Sequence, residues 1–198
     1  IGNAGRILLT ANRQVDLLNG GQINASMGGQ GQAGLIQIQT PDFLAQGEST
    51  SFPSGIYSVI LAPGIGNSDG ILLQAEQVRL QGGARLDVSI AGQGNAGSIQ
   101  VETQDFFAEG QSSLGGSSGL YSTALRSALG NAGGIVLQAT GTVSLQSGAG
   151  INVSTFGQGN AGKIEVIADS FLAQGEGTIA GLELFSGISS VVSRTAVG

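Results

Sequence analysis

Apolar and polar residues alternate in short runs along the chain. Ile36-Gln37-Ile38-Gln39, Ile99-Gln100-Val101-Glu102 and Ile164-Glu165-Val166 each send apolar side chains one way and amides or carboxylates the other, the period of two that marks a half-buried strand. Ile7 with Leu9, Ile71 with Leu73, and Ile135 with Leu137 show the same spacing, and no stretch sustains a helical period. The pattern therefore predicts an all-β chain built from many brief strands.

The runs follow a recurring glycine motif. It reads Gly2-Asn3-Ala4-Gly5, Gly31-Gln32-Ala33-Gly34, Gly66-Asn67-Ser68-Asp69-Gly70, Gly94-Asn95-Ala96-Gly97, Gly130-Asn131-Ala132-Gly133 and Gly159-Asn160-Ala161-Gly162, with steps of 29, 35, 28, 36 and 29 residues between first glycines. Short and long units alternate, so two units make a super-repeat of 64 residues, and three copies span 2–65, 66–129 and 130–197. A period of this size is the mark of a solenoid. Short units carry two further apolar pairs, such as Val78 and Leu80 followed by Leu86 and Val88. Long units place Phe43, Phe106 and Phe171 at one equivalent position, with Ala45, Ala108 and Ala173 two residues on. Their third strands start at Gly55, Gly119 and Gly187, after the variable segments Glu48 to Ser54, Gln111 to Ser118 and Glu176 to Ser186.

Three short strands per unit, with inward residues recurring at the same place, predict a parallel β-helix of about six rungs of 28–36 residues. Rungs ~4.8 Å apart would make a rod roughly 29 Å long. Glycine suits the corners, where the chain turns sharply. Asn tolerates the same geometry, so Asn3, Gln32, Asn67, Asn95, Asn131 and Asn160 are expected to form an amide ladder up one corner. The chain opens at Ile1-Gly2 and closes at Val197-Gly198 on one register, shared by Ile65-Gly66 and Leu129-Gly130. That register predicts a segment of a longer rod, since a bare solenoid end exposes strand edges that normally require a cap.

Composition narrows the function. Of 198 residues, 36 are Gly and 20 are charged, 7 basic and 13 acidic, with no His, Cys or Trp; an ordinary domain has ~25% charged residues and ~7% Gly. A net charge of −6 argues against nucleic acid as a partner, because phosphate binding needs a basic face. No apolar run approaches the ~18 residues of a membrane span, so membrane insertion is not expected. Lack of His excludes nucleophilic triads. The nearest acidic grouping is Asp105 with Glu109, and Asp42 with Glu48 two rungs away, ~9.6 Å apart along the stack, too wide for a shared metal or a catalytic carboxylate pair. Asp69 is the single acid in a glycine corner, whereas calcium rolls need one in every turn. No catalytic residue, metal or cofactor is expected.

Surface remains. One outward column of the first strands reads Leu8, Gln37, Leu72, Gln100, Val136, Glu165, a nearly uncharged face suited to lateral contact. Tyr57 and Tyr121 lie beside the variable segments and, with those segments, are the expected partner-binding surface.

The run Gly-Ile-Asn-Val-Ser-Thr-Phe-Gly-Gln-Gly-Asn-Ala-Gly-Lys-Ile-Glu-Val at 150–166, supported by Ser-Gly-Ile-Tyr-Ser at 54–58, resembles the filamentous-haemagglutinin family of large secreted proteins, most of all its cyanobacterial members. The similarity extends over essentially the whole chain. The resemblance implies a right-handed β-helix, export by two-partner secretion and a role as an extracellular or cell-surface adhesive fibre. Expected partners are further copies of the chain, cell-surface glycans or other cells. The competing expectation is a polysaccharide-binding or polysaccharide-degrading β-helix.

Overall fold

The computed structural model describes residues 1–179 and 182–193, so the closing Val197-Gly198 of the register lies outside the described residues. In chain order the strands are β1 (Ile7–Thr10), β2 (Gln14–Leu18) and β3 (Gln22–Asn24) in the first rung, then β4 (Ile36–Gln39), β5 (Asp42–Gln46) and β6 (Gly55–Tyr57). The third and fourth rungs hold β7 (Ile71–Gln74), β8 (Gln77–Gln81), β9 (Arg85–Asp87), β10 (Ile99–Thr103), β11 (Asp105–Glu109) and β12 (Gly119–Ala124). The fifth holds β13 (Ile135–Ala139), β14 (Thr142–Gln146) and β15 (Gly150–Thr155), and the sixth β16 (Ile164–Ile167), β17 (Ser170–Gln174), β18 (Glu176–Ile179), β19 (Leu182–Phe185) and β20 (Gly187–Val192).

Equivalent strands stack into three six-stranded sheets, β1-β4-β7-β10-β13-β16, β2-β5-β8-β11-β14-β17 and β3-β6-β9-β12-β15-β20. Every pairing within them is parallel. The protein is a parallel β-helix. Its register matches the repeats: Ile7, Ile36, Ile71, Ile99, Ile135 and Ile164 lie above one another, and the four in the middle are fully buried. In the first and last rungs the same positions are only partly covered, as for Ile7, Leu9, Ile164 and Val166, because among the described residues each has a neighbouring rung on one side.

The second sheet explains why the repeat spans two rungs. One inward column reads Val15, Phe43, Val78, Phe106, Val143, Phe171, and the column beside it reads Leu17, Ala45, Leu80, Ala108, Leu145, Ala173. A large ring in a long rung is offset by a small Ala next to it, and a Val in a short rung by a Leu. Each rung thus presents nearly constant core volume, as dense interiors require.

The sequence pattern predicts three sides; the structure has a short fourth. Between the third sheet and the glycine corner, single parallel bridges join Met27, Ile60, Ile90 and Ala124, and further bridges join Gln30, Ile65, Gln93, Leu129 and Gln158. Behind them Met27, Ala33, Ile60, Ile90, Ala124, Ala128 and Ala132 form a second small core. Each segment pairs at isolated residues, too briefly to establish an alternation of period two, so periodicity could not reveal it.

Candidate binding cleft and contact surfaces

The six corner residues stand in a column, but their hydrogen bonds run mainly from side chain to backbone rather than amide to amide. The Asn3 Oδ1 accepts the Gln32 N–H at 2.9 Å, the Gln32 Oε1 the Asn67 N–H at 2.9 Å, the Asn67 Oδ1 the Asn95 N–H at 2.8 Å, the Asn95 Oδ1 the Asn131 N–H at 3.1 Å and the Asn131 Oδ1 the Asn160 N–H at 2.8 Å. Direct amide contacts join Asn95 to Asn67 at 3.4 Å and Asn131 to Asn95 at 3.0 Å. Gln32 takes the same role with its longer side chain. The preceding glycine is required: Gly130 has φ 148°, and a Cβ there would lie 1.5 Å from the Gly94 carbonyl oxygen. The corner is a backbone clamp.

On the first sheet Leu8, Gln37, Leu72, Gln100, Val136 and Glu165 form one outward column. Leu8 is exposed, while Leu72 and Val136 are partly covered by their neighbours. The acids singled out from the sequence are engaged separately. Asp42 receives both of its short bonds from the Arg79 Nη2, at 2.8 Å each. Asp105 accepts the Thr142 N–H at 2.8 Å and the Gln77 amide at 2.9 Å, and these bonds hold its carboxyl below the usual range. Glu48 accepts the Ser113 hydroxyl at 2.5 Å and its N–H at 2.9 Å, which likewise lower its pKa. Among the described residues no group of three or more His, Cys, Asp or Glu is placed to hold a metal ion.

The variable segments of the long rungs become three arms at one corner, between the second and third sheets. Antiparallel bridges close the first two, Glu48 to Pro53 and Gln111 to Ser117, and β18 pairs antiparallel with β19 in the third. Each arm is fastened at its base by the serine that ends its variable segment. The Ser54 Oγ accepts the Gly20 N–H at 2.9 Å and donates to the Gln46 carbonyl at 2.8 Å. Ser118 joins Gly83 and Glu109 at 2.9 and 2.7 Å, and Ser186 joins Gly148 and Gln174 at 2.9 and 2.8 Å. The recurrence of Ser-Gly at 54–55, 118–119 and 186–187 was the available signal.

Beside the arms, the third sheet presents two outward columns. Tyr57 and Tyr121 fall in one, which reads Asn24, Tyr57, Asp87, Tyr121, Asn152, Ser189. The other reads Gln22, Gly55, Arg85, Gly119, Gly150, Gly187, so Arg85 stands alone above a floor of glycines. Its guanidinium lies 5.4 Å from the centre of the Tyr121 ring, a cation–π arrangement, and abuts Gly116 of the second arm, where a Cβ would sit 1.4 Å from Nη2. The Arg85 Nε is buried without a hydrogen-bond partner. The Tyr57 hydroxyl donates to the Pro53 carbonyl at 3.1 Å, which ties that ring to the first arm. Burial pushes Tyr121 up to about 12 and Tyr57 higher still. It also raises Asp87, against the opposing bonds from Ser89 and the charge of Arg85. Two hollows, of about 430 and 670 Å³, meet at Arg85, Gly115 and Gly116. Neither Arg85 nor Asp87 was singled out as a site residue in the sequence, because the positions equivalent to Arg85 in the other rungs are Gln or Gly and the pattern has no repeat to mark it.

The fold and its surfaces define a β-solenoid with a lateral cleft. Comparison with family models, with curated proteins and with solved structures gives no match to this chain.

Proposed function

We propose that the chain is a structural and adhesive segment of an extracellular or cell-surface β-helical fibre, acting through stacking and display rather than catalysis. The observation that carries this reading is the unbroken register of three parallel sheets through six rungs, with a nearly uncharged outer column on the first. A solenoid of this kind gains its stability from neighbouring rungs, and its flat, nearly uncharged face is the surface on which other copies pack. The similarity of residues 150–166 to filamentous-haemagglutinin repeats agrees with it and adds export by two-partner secretion. The arms and the tyrosines beside them are the surface for contact with other cells or their glycans.

The test is a triple variant, Leu8→Lys, Leu72→Lys and Val136→Lys. Negative-stain electron microscopy should show bundles of the parent dispersing into single thin rods, with the far-UV circular dichroism unchanged. Bundles that persist in the variant overturn the lateral-contact role. Release of reducing ends from a polysaccharide by the purified parent would overturn the non-catalytic reading.

A further inference from the structure

We propose that the cleft over the third sheet binds a neutral, hydroxyl-rich saccharide chain, stacked against Tyr57 and Tyr121 and hydrogen-bonded by Arg85 and Asn152. The inference rests on the adhesive part of the function above and names the chemistry that this surface takes.

Arg85 is the first argument. Among the described residues it has no ion pair, and its Nε is shut away from water without an acceptor. A guanidinium held between the Tyr121 ring and the Gly116 backbone keeps its planar donor fork fixed at little further entropic cost, so an incoming pair of hydroxyl oxygens meets a prepared donor. Asp87, two residues along the same strand and on the same face, accepts the Ser89 N–H at 2.8 Å and offsets the Arg85 charge from outside the two hollows. Asn152, one rung beyond Tyr121 in the same column, supplies both donor and acceptor. Planar polar groups interleaved with aromatic faces suit a sugar ring, which has hydroxyls at its edge and C–H groups on its faces.

The shape agrees. Gly119 and Gly150 leave the floor beside Arg85 bare. Each hollow, at about 430 and 670 Å³, falls in the ~300–1,000 Å³ range of small-molecule sites. The two lie end to end along the rod, and Tyr57 and Tyr121 stand two rungs apart, ~9.6 Å, a layout for an extended chain rather than a single compact ligand. Charge separates the classes of ligand. Arg85 and Asp87 offset each other, Glu183 also lines the larger hollow, and the chain carries −6 overall, so a polyanion is disfavoured. A peptide adding as a strand needs a free sheet edge, and the cleft lies over a sheet face.

Affinity electrophoresis through gels containing dextran, xyloglucan, galactomannan or polygalacturonate tests the proposal. The parent should be retarded by at least one neutral polymer. Gly150→Leu should fill the larger hollow and weaken that retardation by about tenfold or more. Its backbone accepts a side chain, because the nearest atoms to an added Cβ are the Gly187 oxygen at 3.5 Å and the Tyr121 Oη at 3.8 Å. Arg85→Gln should weaken retardation too, with melting temperature monitored for both variants. Retardation by no neutral polymer, by polygalacturonate alone, or to the same extent in both folded variants overturns the proposal. The Lys variants of the first sheet should bind saccharide as the parent does, so failure of the cleft and failure of the fibre reading are separately visible.

Discussion

At the scale of single residues, the outer face of the third sheet is where burial does most to chemistry. Tyr121 is pushed up to about 12 by burial, from an ordinary 10.0, and Tyr57 is raised by the same cause. A folded-state pKa above the unfolded one gives stability that is full below the unfolded value and lost as pH rises through the folded value. For Tyr121 that loss falls between about pH 10 and 12. The chain has two tyrosines and no tryptophan, so tyrosinate absorbance near 295 nm reads this pair alone. No rise is expected at pH 10.5 in the folded protein, followed by one steep step coincident with alkaline unfolding; gradual titration around pH 10 would place the rings in water. Asp87 follows the same sign at lower pH. Desolvation raises its carboxyl, so its contribution is full below an ordinary 3.8 and falls as pH rises through the folded value. Asp87→Asn removes the desolvated charge and should raise the melting temperature more at pH 8 than at pH 4, a difference that thermal scans at the two values detect.

At the scale of elements, two couplings decide how rung and arm hold together. Ser118 is fully buried and bridges the Gly83 N–H to the Glu109 carbonyl, so Ser118→Ala leaves a buried N–H unpaired, at ~1–3 kcal/mol. Proteolysis should then begin within 111–117 before the β-helix opens; cleavage at the parent's rate would show the clip to be dispensable. In the core, Phe106 and Ala108 share volume. Phe106→Val should cost more than the ~0.5–1.5 kcal/mol of an Ile→Val change and less than the ~3–5 of Phe→Ala, and Ala108→Leu ~1–3 by overpacking. The double variant reproduces the Val and Leu of a short rung, so denaturant unfolding should give a total below the sum by ~0.5–3 kcal/mol. These elements also mark what the sequence made legible. Strand period, glycine corners and super-repeat could all be read, because repetition amplifies each signal sixfold or threefold. Arg85 and Asp87 could not be read as a site, since they occur once and depend on arms whose fold no local pattern encodes. The fourth side was hidden because isolated bridges leave no alternation. The corner amides were legible as a column, but not their preference for backbone N–H groups, which follows from how closely adjacent glycine turns approach.

At the scale of the whole molecule, stability is a sum over rung interfaces rather than a property of one centre. Each interior rung has two neighbours and each terminal rung, among the described residues, has one. The same residue type therefore changes its worth with height in the stack. Ile99 sits in the fourth rung, fully buried, whereas Ile7, its equivalent in the first, is only partly covered. Ile99→Ala should cost ~2–5 kcal/mol, the range for a buried Ile with no room to collapse. Ile7→Ala should cost distinctly less, because water already reaches the site and the rung can shift into the space. Hydrogen exchange by mass spectrometry then separates two kinds of solenoid. If neighbouring interfaces add with modest coupling, amides of β7 to β12 exchange slowest, protection falls towards β1 and β16, and Ile99→Ala lowers protection on both sides of its rung while Ile7→Ala affects the first rung alone. If coupling is strong enough for the stack to open as one unit, all rungs exchange at a single rate and both substitutions lower it everywhere. The unmatched apolar surface of the terminal rungs, with Phe171 at 46% exposure where Phe43 is at 0%, favours the graded outcome. Uniform protection would show that the backbone ladders, rather than core packing, set cooperativity along the rod.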